Sequence, residues 1–143
     1  DEVIDFTQEY TPPDPSAYLA LSEDMDVEGG VVAAQTNTIQ AAFVAEQGWT
    51  LVEFPTPEET IAAVRNGEAD AVLADKSYLA AAAAENDDLY LLEREEMIGG
   101  GVGMGLRESD PELREKFDAA IQSMKDDGSL NELITKWEVA STF

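Results

Sequence analysis

The chain has 143 residues, room for one domain or two small lobes, and its 44% hydrophobic content argues against disorder. Eight Lys and Arg against 31 Asp and Glu give a net charge of −23, which excludes the basic footprint of a nucleic-acid binder and disfavours anionic membrane surfaces. Cys and His are absent, which excludes a disulfide scaffold, a zinc finger, a thiol nucleophile and a Ser-His-Asp triad. No stretch approaches the roughly 18 apolar residues of a membrane span. With Asp1 first and no basic-then-apolar leader, the N-terminus reads as a cut end.

In chain order, Val3 to Phe6 predicts a short strand, and Thr11-Pro12-Pro13-Asp14-Pro15 an extended connector. Strands are expected at Tyr18 to Leu21 and at the apolar run Val31 to Ala34. From Thr38 to Gln47 the positions Ile39, Ala42, Phe43 and Ala45 predict an amphipathic helix stopped by Gly48, before a strand from Trp49 to Phe54. Thr56-Pro57-Glu58-Glu59 combines a cap, a first-turn proline and a capping-box Glu, and Asn66-Gly67 ends the helix so begun. Ala71 to Ala74 predicts a buried strand, Ser77 to Ala84 a helix and Leu89 to Leu92 a strand. Short alternating strands and helices predict an α/β fold with a mainly parallel sheet flanked by helices.

The glycine run from Gly99 to Gly105 predicts a hinge or tightly packed extended stretch. A capping box is expected at Ser109 to Glu112, and a last short helix starting at Ser129, with Glu132 three residues on. The first opens a helix with the stripe Leu113, Phe117, Ala120, Ile121 and Met124; the second buries Leu130, Leu133, Ile134 and Trp137. Charge divides the chain unevenly: residues 1–93 carry net −18 and residues 94–143 net −5.

Two motifs lead nowhere. The glycine run lacks the Gly-Lys-Ser/Thr ending of a phosphate loop, and it feeds Leu106-Arg107-Glu108 instead of a helix. Asp24 to Gly29 imitates the start of a calcium loop, but its twelfth position is Gln35 where a bidentate Glu is needed. No metal and no cofactor is expected. Two others sit better. Thr36-Asn37-Thr38 lies between a strand and a helix, where backbone N–H groups and hydroxyls receive an anion or simply cap the helix. Asp75 follows a buried strand, placed either to hold an ammonium or to cap the next helix. Both are expected to end parallel strands and to lie on one edge of the sheet.

The order of these motifs resembles the periplasmic amino-acid-binding proteins of ABC importers, the type II periplasmic-binding-protein fold. Val3-Ile4-Asp5-Phe6-Thr7-Gln8-Glu9-Tyr10 is similar to the family's V-D-F-S/T-x-P-Y stretch, and Gly30-Val31-Val32-Ala33-Ala34-Gln35-Thr36-Asn37-Thr38 to its G-V-x-x-G-T-T. Gly67 to Asp75 is similar to its G-x-x-D-A-x-x-x-D signature, and Gly103 to Arg107 and Asp127 to Trp137 to its closing pattern. The resemblance implies two α/β lobes with a ligand cleft between them. Residues 1–15 would end a part of lobe one and make the first crossing. Residues 16–97 would be the ligand-binding lobe two, and residues 98–143 would cross back to lobe one. It implies that Asp75 holds a ligand α-ammonium and that Thr36, Asn37 and Thr38 face its carboxylate, Thr38 through a hydroxyl. The family's carboxylate-clamping Arg, just upstream of the V-D-F stretch, is not in this sequence, which therefore reads as a fragment.

The implied function is extracytoplasmic amino-acid capture for delivery to an ABC importer's membrane permease, without catalysis. The alternatives on the same fold are a cyclohexadienyl-dehydratase-like enzyme and a receptor sensor domain. The apolar stripe Phe117, Ile121 and Trp137 is expected to self-associate with another chain or to pack irregularly.

Overall fold

Residues 4–143 are described by a computed structural model; Val3, read as the first strand residue, lies outside them. They divide into two compact units, residues 15–99 and residues 4–14 with 100–143.

In the 15–99 unit five strands form one sheet: β2 (Ser16–Ala20), β3 (Val31–Gln35), β4 (Thr50–Phe54), β5 (Ala71–Asp75) and β6 (Tyr90–Glu96), after β1 (Ile4–Phe6) in the other unit. Their order is β4-β3-β5-β2-β6. β3 pairs parallel with β4 and β5, whereas β2 pairs antiparallel with both β5 and β6. The sheet is therefore mixed. Four of the five strands run in one direction, as the expected mainly parallel sheet requires, and β2, antiparallel to both of its neighbours, is the exception. The reason lies outside β2 itself, because strand direction follows the end at which the chain enters, and here the proline connector delivers it beside the carboxyl ends of the others.

Both faces of the sheet are covered, as its short apolar strands require. On one face Leu19, Ala33 and Val72 pack with Ile61 and Val64 of α2 (Pro57–Asn66) and Leu79 of α3 (Lys76–Glu85). On the other, Tyr18, Val32 and Leu73 pack with Val44 and Phe43 of α1 (Ile39–Glu46). α2 starts as its sequence predicts: Thr56 Oγ1 accepts from Glu59 N at 3.3 Å, and Gly67 closes it with φ +74°. α1 is rotated from expectation. It buries Gln40, Ala41 and Val44, while Ile39 is 52% exposed.

On β6, Arg94 lies 5.7 Å from the Tyr18 ring centroid and 5.3 Å from that of Trp49. It pairs with Glu28 at 3.0 Å and Glu96 at 2.7 Å. Tyr18 Oη donates to Glu96 at 3.1 Å, and burial, then the Glu96 charge, pushes its phenol well above the usual range.

In the other unit β1 pairs antiparallel with β7 (Gly105–Arg107), and α4 (Pro111–Asp126) and α5 (Ser129–Trp137) follow. The glycine stretch is an extended strap: Thr7 N donates to Met104 O at 3.0 Å and Tyr10 N to Val102 O at 2.8 Å. A Cβ on Gly101 would stand 1.9 Å from Thr11 O, so no other residue fits there. α5 starts at Ser129 as expected, whereas the capping box expected at Ser109 does not form. Pro111 occupies the first turn of α4 and so makes Asp110, not Ser109, the cap. Gly128, left-handed at φ +79°, caps α5, while Asp127 Oδ1 accepts from Ser129 N at 2.8 Å. Of the expected stripes Ile121, Leu130 and Ile134 are buried together, whereas Phe117 is 36% and Trp137 67% exposed. Two helices and a two-stranded ribbon bury one side of each helix and leave the rest uncovered. Among the described residues no helix is long and apolar enough to cross a membrane.

Candidate functional site

The parallel strands β3 and β5, registered Ala33 to Val72, deliver Gln35 and Asp75 to the same sheet edge, where ligands of open α/β sheets bind. Because β2 runs the other way, its first residue, Ser16, arrives at that edge too, paired with Asp75.

The turn after β3 is pinned on both sides. Thr36 N and Thr36 Oγ1 both donate to Phe54 O, at 2.9 and 3.2 Å, fixing it to the end of β4. Asn37 takes a left-handed φ of +62°, which Asn tolerates better than most residues. Thr38 is the N-cap of α1: its Oγ1 accepts from Ala41 N at 3.2 Å and donates to Gln35 O at 2.7 Å. With both hydroxyl hydrogens committed, the turn presents backbone N–H groups at the helix start to an anion, since the first turn has no helical acceptors ahead of it.

Asp75 occupies the N-cap position of α3 but makes no side-chain cap bond. Its Oδ1 instead accepts from Gln40 Nε2 at 2.8 Å. Lys76 N, at the start of α3, donates to Pro15 O at 2.9 Å. Gln40 is 7% exposed and donates a second bond to Ser16 Oγ at 3.1 Å.

These groups border a cavity of about 290 Å³. Pro57, Leu73 and Ala74 give it apolar lining; Gln35, Thr38, Gln40, Thr60, Asp75 and Tyr78 bring polar atoms. Among the described residues Asp75 is its one charged lining residue. Burial, then the neighbouring Glu58 charge, raises the Tyr78 phenol above its usual range, so it stays a hydrogen-bond donor at neutral pH. The arrangement suits a small zwitterion: a carboxylate for a cation, N–H groups for an anion and an apolar wall between.

Of the four residues singled out in the sequence, Asp75 and Thr38 line this cavity, and Thr36 and Asn37 shape the turn behind it. Gln40, Thr60 and Tyr78 were not foreseen. The available signal was a Gln two positions from the helix cap, carried on a face that proves to be buried. A larger hollow of about 560 Å³ lies at the other end of the sheet, between Glu23 to Val27 and Leu91 to Arg94. Within the calcium-like segment Asp26 Oδ1 accepts from Glu28 N at 3.0 Å and Glu28 pairs with Arg94. Among the described residues no group of three or more acids stands as a metal cage.

The chain is 62% identical to a periplasmic His/Glu/Gln/Arg/opine family-binding protein from Silicibacter pomeroyi solved in complex with lysine, with a TM-score of 0.83 over 100% of this chain and 66% of that one. It is 25% identical to an amino acid ABC transporter substrate-binding protein from Streptococcus pneumoniae bound to L-arginine (TM-score 0.73, 99% of this chain, 63% of that one). An arginine-binding periplasmic protein of Mannheimia haemolytica is 22% identical over 138 residues, 92% of this chain and 58% of that protein. The chain thus spans about two thirds or less of each of these relatives, all of them solute-binding proteins. Residues 1–140 match the family model of the bacterial extracellular solute-binding proteins, family 3, and the chain belongs to that family.

Proposed function

We propose that the chain supplies one side of an amino-acid clamp in an exported receptor that hands its ligand to an ABC importer's membrane permease. Residues 15–99 serve as lobe two, and residues 1–14 and 100–143 belong to lobe one, the chain crossing at the proline connector and at the glycine strap. Asp75 receives the ligand α-ammonium, and the N–H groups around Thr38 face its carboxylate. The observation that carries this reading is Asp75 itself, held by Gln40 on the cavity and not spent on capping α3. The 62% identity to a protein solved with lysine supports an amino-acid ligand with a basic side chain. Among the described residues the cavity holds no second acid for such a side chain, so selection among amino acids rests on residues beyond these. The role is capture without turnover.

Titration calorimetry tests this. The intact protein binds L-lysine or L-arginine at micromolar concentration or tighter and rejects the analogue lacking the α-ammonium. The 143-residue chain alone binds no standard amino acid more tightly than about millimolar. Equal affinity for the deaminated analogue, or micromolar binding by the chain alone, overturns the reading.

A further inference from the structure

We propose that Gln40 is a positioning residue for ligand binding, holding the Asp75 carboxylate on the cavity against a competing role as helix cap; this rests on the reading of Asp75 as the ammonium's partner. Asp75 stands at the N-cap position of α3, where an Asp side chain ordinarily turns back to accept from the N–H groups of the first helical turn. It does not do so here. Its Oδ1 lies 2.8 Å from Gln40 Nε2.

Gln40 is equipped to win that competition. Its side chain is buried, and the same Nε2 donates to Ser16 Oγ at 3.1 Å, so both amide hydrogens are spent in fixed directions. Ser16 is itself 2% exposed and stands opposite Asp75 in the β2–β5 register. The amide is therefore anchored at both ends, by the α1 backbone and by the first residue of β2. Asp75, by contrast, is exposed on a short side chain and free to turn. One buried amide thus connects the helix whose start faces the ligand carboxylate with the acid that faces its ammonium.

Gln40→Met keeps the volume and removes both donors. Lysine affinity of the intact protein, followed by calorimetry and by ligand-observed NMR into the millimolar range, should fall about ten-fold in Gln40→Met, the size expected for a lost bond to a charged group. In an Asp75→Asn background the same change should cost less than about two-fold, because its effect runs through the carboxylate. Ser16→Ala, which removes the other anchor without opening the core, should show a smaller loss that also vanishes in that background. An equal loss in both backgrounds, or none in either, overturns the positioning role. If Asp75→Asn alone binds lysine like the wild type, it is the underlying reading of Asp75 that fails.

Discussion

Replacing Asp75 separates what the residue does for the fold from what it does for a ligand. Asp75→Ala removes the acceptor of Gln40 Nε2, whose side chain is buried. A buried donor left unpaired costs about 1–3 kcal/mol, and the exposure of Asp75 lets water approach, so the lower end applies, about 1 kcal/mol. Loss of a negative charge at the start of α3 adds about 0.3–1 kcal/mol. No capping bond is lost, because none exists. Asp75→Asn keeps an acceptor oxygen for Gln40 and gives up the charge alone. The Ala and Asn variants should therefore differ by about 1 kcal/mol in urea unfolding followed by far-ultraviolet dichroism. That corresponds to about 4–8 °C in Tm for a unit of this size. In the intact protein both variants should lose two to four orders of magnitude in amino-acid affinity, since a buried ammonium without its partner costs about 3–5 kcal/mol. Equal destabilisation by Ala and Asn would refute the account of the Gln40 bond. An Asn variant that binds like the wild type would remove Asp75 from the ligand site.

Leu79→Ala, at a fully buried position packed between α3 and the sheet, should cost about 2–5 kcal/mol in the same unfolding assay. Tm should rise with salt: with net −23, shortening the Debye length from about 30 Å at 0.01 M to about 8 Å at 0.15 M relieves self-repulsion, and a fall would mean that ion pairs dominate. The phenol of Tyr18 is raised by burial and by Glu96, so its contribution to stability is fully present below about pH 10 and is lost as pH climbs toward the folded value, where only the unfolded chain ionises. Tyr18→Phe should cost about 1 kcal/mol at neutral pH and flatten that alkaline loss; an unchanged alkaline slope would assign it to other groups.

The features legible in the sequence are those whose cause is local. Thr56, Pro57 and Gly67 mark both ends of α2 because cap chemistry acts within one turn. The same chemistry misleads at Ser109, where the proline two residues on shifts the cap to Asp110. The direction of β2 was not legible, since nothing in Ser16 to Ala20 records the side from which the chain enters. Gln40 escaped for a related reason: reading α1 by its bulky apolar positions turns it toward Ile39, whereas packing against the sheet selects the small Ala41 and Val44 and carries Gln40 inward. Thr38 and Asp75 could be found because strand ends can be counted along the chain, but the bond between Gln40 and Asp75 spans 35 residues.

The place of β6 at the rim of the five-stranded sheet bears on how the protein survives crowding. An outer strand offers a row of unpaired backbone groups to any other extended chain, the ordinary route to runaway β-aggregation. The second half of β6 reads Glu93-Arg94-Glu95-Glu96, and Arg94 is already engaged by Glu28 and Glu96. A second copy adding its own β6 there would bring carboxylates together with no free cation from that segment to separate them. The charge excess that says so little about the fold thus does local work along this border, keeping it from acting as a template.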